Sequence, residues 1–318
     1  MRFIMDIKKA NDIEKLKKPG GYSWADSILA VVLGDFSRDA ALRFCIMLSD
    51  AERRRIQEQL TPDLPFFDEY RRITLSMIGD LSFVKGPHLA MYRNNNKALD
   101  DRILVGFPDG INQNEVIPRI GALVLHSMWG AVSRGIRRVQ VLNPCNTLAP
   151  TSWALEERFA KANSILRMLS KSGLDGGKNE EYLVQRIVDQ VELSFPTVPE
   201  AVIRTVEEQG RNVFMPLGTI DIVETYSHAL RRLGSSLRIV RPDLAGQKTV
   251  FDAIRASIAR DPKKRKTARR KLKQLIQSTS IENGKELAVI EASTDLDYGV
   301  GIDSNTAYAE TVVKEIYG

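Results

Sequence analysis

Apolar residues follow two patterns along this chain, amphipathic helical periods and short continuous runs. From about residue 80 a single cassette repeats, in which a helix-period stretch ends near a glycine and an apolar run of four or five residues follows. Glycine suits the end of a helix because the left-handed conformation there costs it no Cβ clash. Four copies pair a helix with a strand: 115–134 with 139–142, 199–209 with 213–217, 220–233 with 237–240, and a basic helix ending near residue 284 with 287–290.

The alternation of helices with short strands predicts an α/β fold. Strands that are apolar at every position are buried on both faces, as in a parallel sheet covered by helices on both sides. Two earlier runs, 81–84 and 103–107, fit as further strands, and the glycine-rich segment 172–179 is the best linker. These boundaries predict a first α/β domain over residues 79–180 and a second over 185–299.

Residues 1–78 have a different pattern of apolar residues from the rest of the chain. Four short helical stretches are legible there, at 23–33, 39–48, 51–60 and 66–78. They predict an N-terminal helical extension. The alternative, also open, is that the apolar run 28–33 is itself the first strand of the sheet, with Gly34 and Asp35 forming its turn.

Size and cysteine usage limit the class of protein. The 318 residues include only two cysteines, so no disulfide framework is readable and a reducing, cytoplasmic location is expected. No apolar run has the length of a membrane span, and the N-terminus lacks the apolar core of a signal peptide. We therefore expect no membrane association.

The net charge of +6 comes from one segment. Residues 260–273 hold nine Lys or Arg and one Asp, a charge of +8, and the remainder of the chain carries −2. The simplest interpretation is a solvated helix face, and attraction of an anionic substrate or partner is the next. Nucleic acid is disfavoured as a partner because no aromatic residues interleave with these charges to stack bases.

Candidate chemistry lies at Cys145 and Ser293, which each follow a short apolar strand. In open α/β sheets, ligands bind beyond the carboxyl ends of the strands, so two such positions suggest a cleft lined from two sides. A helix predicted to start near Thr151 would favour a thiolate at Cys145 through its dipole. The alternative is a buried structural thiol, which is our interpretation of Cys45, on the apolar side of a predicted helix.

Several motifs resemble those of the aspartate/glutamate racemase superfamily. Residues 144–149 (PCNTLA) are similar to its first active-site motif, 288–296 (AVIEASTDL) resemble its second, and 302–310 (IDSNTAYAE) are similar to the turn and closing helix that follow. The resemblance covers about residues 80–318. It implies two pseudo-symmetric, flavodoxin-like domains, with the C-terminal helix, 300–318, completing the first. It also implies a homodimer that acts on a small amino acid or related carboxylate without a cofactor.

The chain departs from this family at one catalytic position. The family sets two cysteines on opposite faces of the substrate α-carbon, and Ser293 stands where the second would be. A hydroxyl is a much poorer base than a thiol. Three outcomes stay open: epimerisation with Cys145 as acid/base and Ser293 or water as relay, lyase or decarboxylase chemistry with a single essential Cys145, and carboxylate binding without turnover.

Supporting residues are assigned mainly by the resemblance. It implies that Asn146, Thr147 and Thr294 bind the substrate carboxylate, and Thr219, at a predicted helix start, suits the same task. Asp295 is either an orienting group for a substrate amine or a helix cap. A further residue, His88, is either a proton relay or a solvated turn residue. No spacing of His, Cys, Asp or Glu indicates a metal site.

Overall fold

A computed structural model of the chain describes residues 27–33, 38–59, 71–78, 113–160, 189–283, 287–293 and 296–318. These residues form two four-stranded parallel sheets with helices between the strands. The strands are β1 (Ile28–Leu33), β2 (Ile73–Ile78), β3 (Arg138–Leu142), β4 (Glu192–Ser194), β5 (Val213–Leu217), β6 (Arg238–Ile239), β7 (Leu287–Glu291) and β8 (Ile302–Asp303). The described helices are α1 (Arg38–Gln59), α2 (Gln113–Val132), α3 (Ala149–Phe159), α4 (Val198–Glu208), α5 (Ile220–Leu233), α6 (Leu244–Ile258), α7 (Pro262–Asn283) and α8 (Ser304–Tyr317).

The two sheets have the same topology. Their orders are β2-β1-β3-β4 and β6-β5-β7-β8, so in each the first strand lies between the second and the third. All strand pairs are parallel. This arrangement confirms the predicted α/β class with two pseudo-symmetric sheets. It also makes β3 and β7 equivalent strands. Each lies beside the position where the order of strand addition switches from one side of the first strand to the other, and open α/β sheets bind ligands at such positions.

Elements of the second sheet begin and end close to where the sequence places them. Strand β5 spans Val213–Leu217 and helix α5 spans Ile220–Leu233, as predicted. Gly234 follows α5 with a φ of 62°, and its left-handed conformation ends the helix. The cassette of helix, glycine and strand is therefore a reliable guide in this half of the chain.

The predicted N-terminal helical extension is wrong at residues 28–33 and 73–78, whereas residues 38–59 are helical, and the alternative that 28–33 is the first strand is the one observed. Ile28–Leu33 is a strand that lies between β2 and β3, and β2 occupies residues assigned to the end of a helix. In β1, Ile28, Ala30 and Val32 pack into one core cluster, and the alternate residues pack into another on the opposite face. A run buried on both faces is apolar throughout, which is why its periodicity could not separate strand from helix. The first α/β unit therefore begins before residue 79.

Helix α1 also differs from expectation. It runs unbroken through Ser49 and Asp50, where the sequence predicted a break between two helices. Cys45, expected in the core, is only half-buried and lies against the core cluster. The predicted strands at 81–84 and 103–107 and the linker at 172–179 lie outside the described residues.

The C-terminal helix α8 packs against α1. The rings of Phe44 and Tyr308 stack with their centroids 5.1 Å apart. At the far end, the Tyr317 hydroxyl donates a 2.6 Å hydrogen bond to the fully buried carboxylate of Glu52. The last helix thus returns to the first sheet and shares one core with α1 and β1.

None of the helices in the described ranges combines the length and the apolar character that crossing a bilayer requires.

Candidate active site

Cys145 lies three residues beyond the end of β3, at the start of a 3₁₀ turn formed by Asn146–Leu148. Its side chain is buried, with 6% of its surface exposed. Its main-chain N–H donates to the side-chain oxygen of Asn143 at 3.1 Å, and its carbonyl accepts from the Leu148 N–H at 3.1 Å. Both contacts fix the backbone at Cys145, so the direction of the thiol is set by local structure.

Thr147 is the polar neighbour of the sulfur. Its hydroxyl oxygen lies 2.9 Å from the Cys145 Sγ, within hydrogen-bonding distance, and either atom can be the donor. When the threonine hydroxyl donates, it stabilises a thiolate, and when the thiol donates, it stabilises the protonated form. Thr147 therefore suits a cysteine that alternates between the two protonation states.

Asn146 joins the turn after β3 to the end of β7. Its side-chain nitrogen donates to the main-chain carbonyl of Ala292 at 2.6 Å and to the Ser304 hydroxyl at 3.3 Å. The side chain is buried, at 2% exposure, and its oxygen has no partner among the described residues. The shorter bond joins Asn146, which follows Cys145 in the chain, to Ala292, which precedes Ser293. The structure therefore brings the two strand ends together.

The second sheet supplies the opposite wall. The Ala292 N–H donates to the carbonyl of Leu217, the last residue of β5, at 3.0 Å. The next residue, Ser293, is half-buried, and its carbonyl accepts from the Leu296 N–H at 2.9 Å. Thr219 lies two residues beyond β5 as the N-cap of α5, with its side chain not used in capping. Both predicted side chains are thus at the carboxyl edge of adjacent strands.

Helix α8 supports the loop after β3, which carries Cys145. The Tyr308 hydroxyl donates to the Pro196 carbonyl at 2.6 Å and accepts from the Asn143 N–H at 3.4 Å. Burial raises the pKa of this phenol well above its ordinary value, so it remains a donor. Asn143 also forms a parallel bridge with Thr197, three residues beyond the last β3–β4 pair, Gln140 with Ser194. The loop that carries Cys145 is therefore held from two sides.

A buried carboxylate, that of Glu291, comes just before Ala292 and Ser293 in the chain. Glu291, the last residue of β7, is 2% exposed and accepts a 2.8 Å hydrogen bond from the Val300 N–H. Burial raises the pKa of this carboxyl, the Val300 N–H opposes that effect, and the negative charge of Asp303 adds to it. Asp303 itself caps α8 by accepting from the Thr306 N–H at 2.6 Å.

The structure describes only some of the predicted site residues. It brings Cys145, Asn146, Thr147, Thr219 and Ser293 to the same edge of the two sheets. His88, Thr294 and Asp295 lie outside the described residues, so their roles stay predictions. In the described part of the chain, no group of three His, Cys, Asp or Glu side chains is placed to hold a metal ion.

Two features of the site differ from, or add to, the sequence reasoning. The side-chain nitrogen of Asn146 already has two protein acceptors. The geometry therefore adds no support to its contact with a substrate carboxylate, which stays a prediction. Ser304 is an addition, since it is 1% exposed and receives one of these hydrogen bonds. Its one signal in the sequence was its place directly after Asp303, in the turn before the closing helix.

Comparisons with known proteins give a likeness of fold. No protein-family model matches the chain, and no curated protein matches it significantly. Among solved structures, a candidate Asp/Glu racemase from Yersinia pestis superposes with a TM-score of 0.52 at 12% identity, covering 92% of this chain and 100% of that one. The aspartate racemase of Picrophilus torridus gives a TM-score of 0.43 at 16% identity, covering 91% and 94%. This chain therefore has the two-sheet α/β fold of the Yersinia pestis Asp/Glu racemase-like structure.

Proposed function

We propose that this protein is a cofactor-independent isomerase of the racemase or epimerase type. It acts at the α-carbon of a small amino acid or related carboxylate, with Cys145 as acid/base. The observation that carries the proposal is the 2.6 Å hydrogen bond between Asn146 and Ala292, which links the chain neighbours of Cys145 and Ser293. The fold shared with the Yersinia pestis protein supports the same assignment.

The chemistry requires removal and return of one proton. The Cys145 thiolate takes the α-proton, and the electron pair of the C–H bond moves into the substrate carboxylate. A proton from the Ser293 hydroxyl, or from a water beside it, then adds to the other face of the carbon and gives the inverted product. Solvent returns a proton to the serine side and removes one from the thiol. Thr147, 2.9 Å from the sulfur, stabilises the thiolate at the start of the cycle.

Because one catalytic group is a serine, the two faces of the substrate α-carbon meet groups of different acidity. A thiol has an ordinary pKa of about 8.5, and an aliphatic hydroxyl is far less acidic, so Ser293 abstracts a proton poorly. We therefore expect the enantiomer whose α-hydrogen faces Cys145 to exchange that hydrogen with solvent faster than it inverts. The equilibrium between enantiomers is unaffected, because a catalyst changes only the rates.

The same asymmetry favours a second candidate function. A single thiol is sufficient for a decarboxylase or another lyase, in which a carbanion forms by loss of carbon dioxide or of a leaving group and is protonated once. The presence of Ser293 in place of a second thiol is the observation that favours it.

Incubation in deuterated water separates these functions. We expect a panel of amino acids and related carboxylates to show α-deuterium incorporation by NMR for at least one compound, with substrate mass otherwise unchanged. Cys145→Ala should abolish exchange, and Cys45→Ala, which removes the half-buried thiol of α1, should leave it intact. A product of lower mass would instead establish lyase chemistry. Ligand-dependent thermal stabilisation with no exchange and no product would establish a binding protein.

A further inference from the structure

A cavity lies between helices α6 and α7, and none of the described residues of the candidate active site lines it. It is a groove of about 560 Å³, and its described lining residues lie between 249 and 271, on these two helices and the turn that joins them. Ile254 of α6 and Leu272 of α7 belong to the core cluster that covers β5, so the groove lies in the helix layer of the second sheet. Neither Cys145 nor Ser293, which follow β3 and β7, lines it. A function for this groove is therefore separate from the proposed isomerase chemistry.

The groove is strongly basic. Four cationic side chains line it, those of Arg255, Lys263, Lys264 and Lys271, against one carboxylate, that of Asp252. Lys264 has a weak, exposed ion pair with Asp261 at 3.8 Å. Neither Lys263 nor Lys271 has an ion pair with an acidic side chain within the described ranges. Like charges this close repel one another, and an anion in the groove relieves that repulsion.

The helices leave room for a ligand because small residues line them at the groove. Ala256 and Ala259 come from α6 and the segment after it, and Ala268 comes from α7. Their short side chains let the longer basic side chains surround an open space. Thr267 adds one hydroxyl donor, whereas the Thr249 hydroxyl already donates to the Ala245 carbonyl at 3.0 Å. The lining residues that the structure describes include no aromatic ring, so they offer hydrogen bonds and positive charge but no surface for stacking a base.

We propose that this groove binds a small molecule that carries two or more phosphate groups. Lysine ammonium groups bind phosphate as compact point charges, and several of them around one cavity match several phosphates better than one carboxylate. The volume is that of an ordinary small-molecule site. The same features disfavour a nucleic acid, because the charges converge on a pocket without stacking groups. The basic helix thus has a specific task in addition to being solvated.

Tripolyphosphate is the probe, with affinity measured by isothermal titration calorimetry at low salt. The test variant is Lys263→Ala/Lys271→Ala, and the matched control is Lys266→Ala/Lys273→Ala, which removes the same charge from the same helix outside the groove lining. We expect the test pair to weaken binding at least about tenfold and the control pair to weaken it about twofold or less. Thr267→Trp adds an independent arm, because it fills the groove without changing charge and should also weaken binding at least about tenfold.

Four results would overturn the proposal. These are no heat of binding at all, equal weakening by the two lysine pairs, full affinity in Thr267→Trp, and binding of a mixed-sequence RNA that both lysine pairs weaken equally. The last result would mean that α7 is a diffuse nucleic-acid contact. Circular dichroism and thermal unfolding of each variant confirm that the fold is retained, and the exposed positions of both lysine pairs favour this. Failure of this test leaves the isomerase proposal intact, because the readout is binding at a different cavity.

Discussion

The side-chain amide of Asn146 donates a 2.6 Å hydrogen bond to the main-chain carbonyl of Ala292, 146 residues further along the chain. This bond joins the carboxyl edges of the two pseudo-symmetric sheets at the point where each presents a predicted catalytic residue. The bond is buried, so it is not weakened by competition with water. The proposed juxtaposition of Cys145 and Ser293 is supported by this contact between their chain neighbours.

Asn146→Ala should therefore cost both stability and site geometry. It removes the donor to Ala292 and to Ser304 and leaves the buried Ala292 carbonyl without that partner, a loss of about 1–3 kcal/mol. Urea unfolding gives the free energy difference. The control is Asn212→Ala at an exposed position, which should stay within about 0.5 kcal/mol of the wild type. Equal effects of the two substitutions would show that the Asn146 contact contributes nothing.

Glu52 should be among the most sensitive positions for stability in the first half of the chain. Its fully buried carboxylate accepts hydrogen bonds from Arg71 Nε, from the Arg72 and Ile73 N–H groups and from the Tyr317 hydroxyl, at 2.6 to 3.0 Å. Glu52→Ala leaves these buried and half-buried donors without their acceptor and should destabilise the protein by about 3–5 kcal/mol.

The matched comparison for Glu52 is Tyr317→Phe. It removes the hydroxyl that donates to the same carboxylate and accepts from the Arg72 N–H at 2.8 Å. Because that N–H keeps Glu52 as an acceptor, the substitution should cost about 1 kcal/mol, measured by the same chemical denaturation. A small effect of Glu52→Ala would contradict the integration of α1, β2 and α8 into one core.

Gly301 is required by the close approach of two strands. A Cβ at this position would overlap the main-chain carbonyl oxygen of Val289 in β7. Gly301→Ala should therefore push β8 away from β7 and destabilise the protein by about 1–3 kcal/mol. Gly130 in α2 is the contrasting site, because a Cβ there meets no atom, and Gly130→Ala should stabilise by up to about 1 kcal/mol. Thermal unfolding distinguishes the two signs, and the same sign for both would contradict the packing described.

Glu291 gives a prediction about pH. Burial raises the pKa of its carboxyl in the folded protein, so the folded state holds this proton more tightly than the unfolded chain does. The group therefore favours folding at acidic pH, and that contribution is lost as pH rises from the ordinary value of about 4.3 through the raised one. Glu291→Gln should raise the Tm near neutral pH, by an amount that shrinks towards pH 4.

The comparison for Glu291 is Glu157→Gln, which removes one negative charge at an exposed position of α3. Tm values of both variants across the pH range, each relative to the wild type, separate the local effect from that of net charge. A Tm difference for Glu291→Gln that grows as pH falls would contradict the raised pKa.

The sequence was informative where local signals agree with one another. Strand β5 and helix α5 were predicted at their observed limits because an apolar run, a polar turn, a helical period and the terminal Gly234 follow in order. The run Ile28–Leu33 lacks such agreement. Its apolar residues suit a strand or a buried helix, and what decides between them is pairing with β2 and β3, which is remote in sequence.

The candidate site also has features that the sequence could predict and features that it could not. Cys145 and Ser293 could be selected because each follows a strand, and parallel strands place their carboxyl ends on one edge. The contacts of Asn146 could not be predicted, since one partner is a main-chain carbonyl, which has no sequence signal, and the other, Ser304, is 158 residues away. Sequence reasoning therefore identified the residues and left their arrangement to the tertiary structure.

The central claim is that positions 145 and 293 face opposite sides of one reacting carbon, and exchanging their side chains tests it most directly. With each enantiomer of the substrate in deuterated water, the wild type should incorporate α-deuterium with retention into one enantiomer preferentially. The variant Cys145→Ser/Ser293→Cys should show the opposite preference, because its thiol now lies on the other face. Exchange of the same enantiomer by both proteins, or no exchange by the variant with its fold intact, would contradict the account.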